Sequence, residues 1–337
     1  MPIRLGIIGM WHTHAAGLVS QIAAHPDEFQ LVAGFDPEPQ VVLQRQQVWQ
    51  TLLPQFKWQT SAEAVLKEEL DGVIVEGRVH ENLKWAQLAI DSGRPVLLEK
   101  PGGNSFQPFE TLLATAQRKN LHVQLIYLFR YMSAIQEILA RAKRGDLGHI
   151  YEFRGRLPKD LANYDDFVRE LSGYRGGIFF EMGGHLIDLM VALMGKPQAV
   201  TPFLAHHHTG SELGIERNFT DNGVAVFTLQ KGWGIIEVPA LETATHARRI
   251  EVYGTTGTCV LPHLGSGHLG NHQTQPLDVY SADRASWEHL DLPAATLQIR
   301  DLREFAAVIT QQKSPDFSPE HDLIVHEALL RASGMWA

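Results

Sequence analysis

The sequence predicts two kinds of architecture: an α/β N-terminal part with a doubly wound parallel sheet, and an α+β part with a mostly antiparallel sheet. Strand-like and helix-like stretches alternate through the first 125 residues, whereas after about Gly148 short strand-like runs follow one another with tight turns such as Lys231-Gly232. The chain has 337 residues, which is enough for two hydrophobic cores. We therefore predict one domain over residues 1–125 and a second over 126–337, with the C-terminal helices free to pack back on the first.

The N-terminal elements are predicted from apolar periodicity. Five apolar or β-branched runs are predicted strands: Ile3–Ile8, Gln30–Phe35, Asp71–Val75, Pro95–Leu98 and His122–Leu128. Helical spacing predicts a helix through Leu18, Val19 and Ile22 that ends at His25-Pro26, and further helices over Val41–Leu53, Leu83–Ile90 and Phe109–Gln117. Strands separated by helices of this length indicate βαβ units and hence a parallel sheet.

The second part contains strands with few intervening helices. The predicted strands are Ile150–Arg156, Val224–Leu229, Gly234–Val238, Arg249–Tyr253 and Thr258–Leu261. One strong helix interrupts them over Gly183–Met194, and it ends at Gly195 with Pro197 just beyond. Two more helices, Leu297–Thr310 and Ser318–Ser333, are predicted near the C-terminus.

The amino-acid composition narrows the classes of molecule that we expect this protein to bind and the compartment in which we expect it. The formal net charge of −9 argues against nucleic acid or an anionic membrane as the main partner. The single cysteine, Cys259, excludes an intramolecular disulfide and fits a reducing compartment. No signal-peptide core follows Met1, and we find no apolar stretch approaching the roughly 20 residues that span a bilayer. We expect a cytoplasmic protein.

The turn after the first predicted strand, within Gly6–Gly17 (GIIGMWHTHAAG), is typical of a nucleotide-binding turn in part only. A dinucleotide fingerprint needs three small positions, and here they fall on Gly9, Trp11 and His14. Asp36 ends the second strand 27 residues after Gly9, where a carboxylate accepts from ribose hydroxyls and repels a 2′-phosphate. This position favours NAD over NADP, while a plain turn residue before Pro37 is the alternative interpretation.

The same turn suggests a metal site as an alternative. His12 and His14 are one residue apart at a strand end, and Glu76, His80, Glu99 or His185 are conceivable partners for zinc or a similar ion. The simpler interpretation is that no metal binds, that His12 donates to a phosphate and that His14 packs under the sheet. His206-His207-His208 and the Gly/His-rich stretch 263–272 also allow metal binding, but solvated loops explain them as well.

Two later stretches carry a family resemblance. One is Glu99-Lys100-Pro101 at a strand's carboxyl end, and the other runs from Gly176-Gly177 to His185 and Asp188. Together with several weaker motifs in the same order they resemble the Gfo/Idh/MocA family, which is related to glucose–fructose oxidoreductase and inositol dehydrogenase. The weaker motifs are the Asp71–Val75 strand, His80, Tyr127–Tyr131, Gly145–Ile150 and Tyr253–Gly257.

The resemblance implies a Rossmann dinucleotide-binding domain and a C-terminal substrate-binding and oligomerisation domain with a large open sheet. It implies hydride transfer between NAD(P) and a hydroxyl carbon of a sugar, cyclitol or related polyol, and a homodimer or homotetramer assembled through that sheet. It also implies that Lys100 and His185 are catalytic. Oxidation of an alcohol needs a base, for which His185 is suited, and Lys100 stabilises the developing alkoxide. Glu181, four residues before His185, stands where the family usually has aspartate and is expected to orient the imidazole.

The predicted cofactor contacts are collected from the ends of four strands. They are Gly9, Met10, Trp11, His12, Thr13, Asp36, Glu76, Gly77, His80, Glu99 and Lys100. We expect Lys100 and His185 to meet across a crevice beside the nicotinamide. The turn with one glycine, the short Val75–His80 loop and Glu181 all depart from the family pattern near this position.

The substrate is not specified by the sequence. Polar residues that would suit a carboxylate-bearing or phosphorylated substrate, with surface positions as the alternative, are Arg154, Arg156, Tyr164, Tyr174 and Arg175. Two other functions remain open at this point. One is a metal-assisted hydrolase, lyase or isomerase that uses His12 and His14, and the other is a non-catalytic sugar-binding protein.

Overall fold

The computed structural model describes residues 1–161, 165–207, 219–241, 248–264 and 274–336. The chain divides into two compact units. The first unit comprises Met1–Ile126 and Gln298–Pro319, and the second comprises Tyr127–Leu297 and Glu320–Ala337. Each unit is described separately below.

A six-stranded sheet forms the centre of the first unit. Its strands are β1 (Ile3–Ile8), β2 (Phe29–Phe35), β3 (Lys57–Trp58), β4 (Gly72–Val75), β5 (Val96–Leu98) and β6 (Val123–Leu125). They pair in the order β3-β2-β1-β4-β5-β6, and every pairing is parallel. This is the strand order of a Rossmann fold, and it confirms the predicted doubly wound parallel sheet.

Helices connect these strands. They are α1 (Thr13–Ala24), α2 (Pro39–Leu52), α3 (Ala62–Leu66), α4 (Val79–Asp91) and α5 (Phe106–Arg118). Each residue of β4 and β5 is buried, as expected for central strands covered on both faces. A later helix, α9 (Leu297–Ile309), belongs to this unit except for its first residue, and its Phe305 packs against Gly72 of β4.

The second unit is built on an eight-stranded, mostly antiparallel sheet, as predicted. Its strands are β7 (Ile150–Arg156), β8 (Ala199–Ala205), β9 (Asn222–Leu229), β10 (Gly232–Pro239), β11 (Arg249–Gly254), β12 (Gly257–Leu261), β13 (Thr274–Ser281) and β14 (Ser286–Pro293). The order is β14-β13-β12-β11-β7-β10-β9-β8, and β7 with β10 is the parallel pair. The described strands leave two edges unpaired, so the sheet is open.

Helices of the second unit include a long central one. They are a short 3₁₀ helix (Leu128–Tyr131), α6 (Ser133–Arg144), α7 (Asp165–Leu171), α8 (Gly177–Met194) and α10 (Pro319–Ala332), whose first residue belongs to the first unit. Fifteen consecutive residues of α8, Gly177–Val191, are buried. The helix packs on one face of the sheet, because Leu186 lies over Gly155 of β7 and Met190 lies over Gly234 of β10.

Several predicted boundaries were wrong. Helix α8 begins six residues before the predicted Gly183, because Gly183 and Gly184 sit inside the helix where Phe179 and Tyr127 leave no room for a larger side chain. The strand predicted over His122–Leu128 ends at Leu125, where the chain turns into the 3₁₀ helix. The elements that the sequence did not predict are β3, α3, α6, α7, β8, β13 and β14.

Helix α8 also corrects the expectation that no apolar stretch approaches the length needed to span a bilayer. By length and composition its 18 residues could cross a membrane, but 83% of this window is buried inside the protein. Burial of this kind is the position of a core helix in a folded domain.

Candidate functional site

Predicted site residues of the first unit lie at one edge of its sheet. Gly9 follows β1, Glu76 follows β4 and Glu99 follows β5, and these three strands are neighbours in the parallel sheet. The strand order reverses between β1 and β4, which is where doubly wound sheets bind ligands. The sheet therefore brings Gly9, Glu76, Glu99 and Lys100 to the ligand-binding edge.

The turns after β1 and β4 approach each other closely. Gly9 has a φ of +76°, and a Cβ built on it would lie 2.4 Å from the backbone nitrogen of Gly77. Both the left-handed conformation and the close approach require glycine at position 9. Of the three fingerprint positions, the tight-turn position alone keeps its glycine.

The carboxylate of Asp36 holds the turn from the end of β2. Its Oδ2 accepts from the backbone N–H of Met10 at 2.6 Å, and its Oδ1 accepts from the N–H of Glu38 at 2.8 Å. Burial raises the pKa of Asp36, although both backbone hydrogen bonds act in the opposite direction. Asp36 is thus the turn residue that the alternative interpretation described, and its role as ribose acceptor stays a prediction.

Arg45 fixes the other side of the same turn, and the sequence analysis missed it. Its guanidinium donates to the backbone carbonyl oxygens of Met10 at 2.8 Å, Trp11 at 3.3 Å and His12 at 3.1 Å. These bonds stabilise a turn that lacks two of the usual glycines. An arginine on the helix after β2 was the one available signal, but nothing in its spacing points to the turn.

The two histidines of the turn point towards Glu99 and Glu76. His12 is 3% exposed and caps α1, where its Nδ1 accepts from the backbone N–H of His14 at 3.3 Å. The same Nδ1 lies 3.5 Å from Glu76 Oε2 and 3.5 Å from Glu99 Oε1. His14 Nδ1 lies 2.9 Å from Glu99 Oε2. His14 therefore pairs with Glu99 instead of only packing under the sheet, and the expectation that His12 donates to a phosphate stays a prediction.

The buried carboxyl groups of Glu76 and Glu99 have pKa values that are shifted in opposite directions. Burial and the charge of Glu99 raise the pKa of Glu76 well above its usual range. Burial also opposes ionisation of Glu99, but the imidazoles of His12 and His14 outweigh it and hold the pKa of Glu99 at about 2. Glu99 is therefore ionised, and the His14 imidazole donates the hydrogen bond between them.

Lys100 is 1% exposed, and its ammonium lies 3.7 Å from Glu99 Oε1. A buried lysine beside a carboxylate is held in one place, which suits a group that must donate to a reacting oxygen. Two other predicted contacts, Thr13 and His80, are exposed in the first turns of α1 and α4. Trp11 is half-buried under the guanidinium of Arg78, which lies 4.6 Å from the indole.

In the second unit, His185 lies on α8 within an aromatic cage. Its ring stacks on Phe129 with 4.5 Å between ring centres, and it meets Tyr127 edge to face at 5.8 Å. Glu181 lies one helical turn earlier, and both side chains are buried. That Glu181 orients the imidazole stays a prediction.

A buried ion network that the sequence analysis missed lies one turn beyond His185. Arg130 donates to both oxygens of Asp188, at 2.9 and 2.6 Å, and to Asp322 at 2.6 Å. His321 Nε2 lies 2.8 Å from Asp188. The network joins the 3₁₀ helix, α8 and α10, and only its Arg130 and Asp188 fall within the motifs quoted for the family resemblance.

The predicted substrate-binding residues do not form a cluster. Arg154 and Arg156 are exposed on β7 and pair with Glu152 and Glu237, which favours the surface interpretation. Tyr174 is 9% exposed, and Arg175 beside it is exposed. Tyr164, His208 and residues 265–272 lie outside the described residues.

The family comparison agrees with this geometry. The model of the GFO/IDH/MocA C-terminal domain matches residues 135–260, which span α6 to β12 and include the α8 helix with Glu181 and His185. The match covers 126 of the 337 residues, so it shows similarity to this family for the second part of the chain. The predicted resemblance is thereby confirmed.

Relatives similar in sequence match this chain over part of their length. The uncharacterized oxidoreductase YdgJ of Escherichia coli is 24% identical over 191 residues, which are 57% of this chain and 53% of YdgJ. The scyllo-inositol 2-dehydrogenase (NADP(+)) IolW of Bacillus subtilis is 27% identical over 112 residues, which are 33% of this chain and 31% of IolW. The first relatives are thus matched over little more than half of their length.

One solved structure covers the whole chain. The UDP-N-acetylglucosamine 3-dehydrogenase GnnA of Acidithiobacillus ferrooxidans superposes with a TM-score of 0.80 and 18% identity, covering 100% of this chain and 98% of GnnA. At this identity the likeness shows the fold alone. The names of these proteins give no support to the hydrolase, lyase or isomerase alternative.

Proposed function

We propose that the protein is an NAD(P)-dependent oxidoreductase that transfers a hydride between nicotinamide and a hydroxyl-bearing carbon of a sugar, cyclitol or related polyol. The observation that carries the proposal is the buried Lys100 directly after β5, at the ligand-binding edge of a sheet with Rossmann strand order. The names of IolW and GnnA, an inositol and a sugar-nucleotide dehydrogenase, support the reaction class and the kind of substrate.

The residues at this edge fit a dinucleotide. Gly9 leaves the space that a Cβ would fill between the two turns, and the exposed Thr13 opens the first turn of α1, where the helix dipole favours a pyrophosphate. Asp36 would accept from the adenosine ribose, while Glu99, Lys100 and His80 would lie towards the nicotinamide. When bound, the dinucleotide supplies the hydride acceptor for oxidation of a CH–OH group.

Two side chains are proposed to act on the alcohol. His185 takes the hydroxyl proton, since an imidazole ordinarily titrates near working pH and the cage of Phe129 and Tyr127 fixes its ring plane. Lys100 donates to the same oxygen and stabilises the alkoxide charge that develops as the hydride leaves. Glu99 restrains the Lys100 ammonium from 3.7 Å.

We propose NAD as the preferred dinucleotide. Asp36 and Glu38 place two carboxylates just after β2, and both repel a 2′-phosphate. Glu38 also holds the guanidinium of Arg78 in a bidentate ion pair at 2.5 and 2.9 Å. Arg78 is thereby kept from the 2′-phosphate that it would otherwise attract.

Dinucleotide binding is tested by titrating the purified protein with NADH and with NADPH and following the nucleotide fluorescence. We expect saturable binding of NADH below about 1 mM, the upper end of ordinary enzyme affinities. Turnover of a panel of cyclitols, sugars and sugar nucleotides with NAD then identifies the substrate class. Absence of binding of either nucleotide at about 1 mM would overturn the proposal.

We further propose that the protein is a cytoplasmic homo-oligomer assembled through the open face of the eight-stranded sheet. Helix α8 covers the other face. On the open face, strand register aligns Trp287, Tyr280, Tyr253 and Trp233 in one row, and the two tryptophans are 58% and 52% exposed. Exposed aromatic rows of this kind are typical of protein interfaces.

A further inference from the structure

We infer that His12, His14 and Glu99 form a binding site for one divalent transition-metal ion, with Glu76 as an adjacent carboxylate. One ligand atom from each of the first three residues lies within 4.8 Å of the other two. The site shares Glu99 with the proposed dinucleotide contacts, but the inference does not depend on the proposed function.

The distances match those between two ligands of one tetrahedral ion. Metal–nitrogen and metal–oxygen bonds of 2.0–2.2 Å place two ligand atoms of a tetrahedral zinc about 3.3 Å apart. His12 Nδ1 lies 3.5 Å from Glu99 Oε1 and 3.5 Å from Glu76 Oε2, and His14 Nδ1 lies 2.9 Å from Glu99 Oε2. Small shifts of these side chains, with release of the 3.3 Å hydrogen bond that His12 Nδ1 accepts from the backbone of His14, would bring both imidazoles and a carboxylate around one ion.

The hydrogen bonds of the carboxylates point to the same conclusion. Both oxygens of Glu76 and Oε1 of Glu99 are buried, and among the described residues they have no hydrogen-bond partner beyond each other's carboxyl group. The two side chains are 0% and 1% exposed, so water does not solvate them. Buried carboxylate oxygens without donors are costly, and a cation is one of the groups that satisfies them.

The donor atoms of the cluster suit a divalent ion. Two carboxyl groups and two imidazoles lie together, with the Lys100 ammonium 3.7 Å from Glu99. A metal ion would take the place of the proton that His14 now donates to Glu99, since ligands must be deprotonated to bind. Two imidazoles with carboxylate oxygen suit zinc, and cobalt(II) binds the same donors with a visible spectrum.

The second unit provides a contrasting cluster. Ligand atoms of Asp188, His321 and Asp322 also lie within 4.8 Å of one another. There the guanidinium of Arg130 already donates to both carboxylates at 2.6 Å. The guanidinium of Arg130 already neutralises the carboxylates of that cluster, so we expect it to bind no metal.

The test is a titration of the chelator-treated full-length protein with cobalt(II), followed by visible absorption and by displacement with zinc. We expect one cobalt ion per chain in the wild-type protein. His14→Ala and Glu99→Gln should each weaken binding by at least about tenfold. His14→Ala also removes the hydrogen bond to the buried Glu99, so circular dichroism of the apo variant is recorded first and should show the wild-type fold.

Two control variants separate this site from other histidines. His321→Ala changes the cluster that contains Arg130, and a double His206→Ala, His207→Ala variant removes the exposed imidazoles after β8; both should bind cobalt as the wild type does. Absence of stoichiometric binding, unchanged binding by His14→Ala, or loss of binding in either control would overturn the inference. Because no dinucleotide is present, failure here leaves the oxidoreductase proposal untouched.

Discussion

At the scale of single residues, Gly9 is constrained both by its positive φ and by its close approach to Gly77. A matched pair of variants separates the two effects. Gly9 and Gly93 have nearly equal φ values, +76° and +80°, but no described atom lies within 4 Å of a Cβ built on Gly93. Gly93→Ala should cost about 1–2 kcal/mol of unfolding free energy from backbone strain alone. Gly9→Ala adds a 2.4 Å contact with Gly77 and should cost about 3 kcal/mol or more.

Chemical denaturation of both variants measures this difference, and NADH titration measures its effect on binding. Gly9→Ala should also abolish NADH binding, while Gly93→Ala should bind as the wild type does. Equal destabilisation by the two substitutions would show that the turns after β1 and β4 are not closely packed.

Glu38 offers a residue-scale test of nucleotide preference. Glu38→Gln removes one negative charge and releases Arg78 from its bidentate pair. The affinity for NADPH relative to NADH should rise by about tenfold, the effect of roughly 1.4 kcal/mol. Fluorescence titration with both nucleotides measures the ratio. The control is Glu28→Gln, which breaks the comparable Glu28–Arg303 pair elsewhere in the first unit and should leave the ratio unchanged.

Residue-scale prediction succeeded where a residue's role follows from its place at a strand end. Gly9, Asp36 and Lys100 were assigned to the ligand-binding edge from strand boundaries, and the sheet places them there. Arg45 and Arg130 were missed because their partners are 33–35 and 58–192 positions away along the chain. Contacts over such distances leave no periodic signal in one sequence.

At the scale of elements, helix α8 shows why glycine misled the prediction. Gly183 and Gly184 were taken as the start of the helix, since glycine is unfavourable in a helix interior. In the structure a Cβ on Gly184 would lie 3.2 Å from the Tyr127 ring, so small size is required for packing against the neighbouring segment. Tertiary packing outweighs helix propensity here.

The strands β13 and β14 were missed for a different reason. Alternation of buried and exposed residues is weak in β14, because no residue of this strand is buried. The strand β13 contains a proline, which is unfavourable within a strand. β14 lies at the edge of the open sheet. An edge strand has no need for a continuous apolar face, so the sequence of β14 carries little strand signal.

The ion network between the 3₁₀ helix, α8 and α10 gives a prediction about stability. Burial opposes ionisation of Asp188, but Arg130 outweighs it and lowers the pKa of Asp188 from 3.8 to about 2. Burial raises the pKa of Asp322 despite the same arginine. At pH 7, Asp188→Asn should therefore cost about 2 kcal/mol of unfolding free energy, and Asp322→Asn clearly less.

The pH dependence follows from the sign of the Asp188 shift. A carboxylate with a depressed pKa stabilises the folded state above its unfolded pKa, and the contribution is lost as the pH falls from about 4 towards 2. Urea denaturation of wild type and Asp188→Asn at pH 7 and pH 3 measures the convergence of their stabilities. A constant difference between the two proteins, or a larger loss from Asp322→Asn, would contradict the assignment.

At the scale of the whole molecule, the fold class was predictable because it depends on patterns that repeat. Alternation of strands and helices fixes a parallel sheet, and short strands joined by turns fix an antiparallel one. The C-terminal helices were expected to be free to pack back on the first domain, and residues 298–319 do join the first compact unit, where Phe305 packs against Gly72. Family motifs supplied the roles of Lys100 and His185; without them Lys100 would be interpreted as a surface charge and His185 as a core residue.

Assembly is the last prediction at this scale. Trp233 stands in the aromatic row of the open sheet face, and Trp233→Glu places a charge there. A charge without a partner at the centre of an interface opposes its burial, so this variant should elute as a smaller species than the wild-type oligomer. Size-exclusion chromatography with light scattering measures the mass.

The matched control for this variant is Leu43→Glu. Leu43 is a comparably exposed apolar residue, 55% against 52% for Trp233, but it lies on α2 of the first unit, away from the eight-stranded sheet. It should leave the mass unchanged. If the wild type is a monomer, or if Leu43→Glu dissociates the oligomer instead, the aromatic row does not form the oligomer interface and has another role. A row of exposed rings that contacts no second copy still has apolar area to cover.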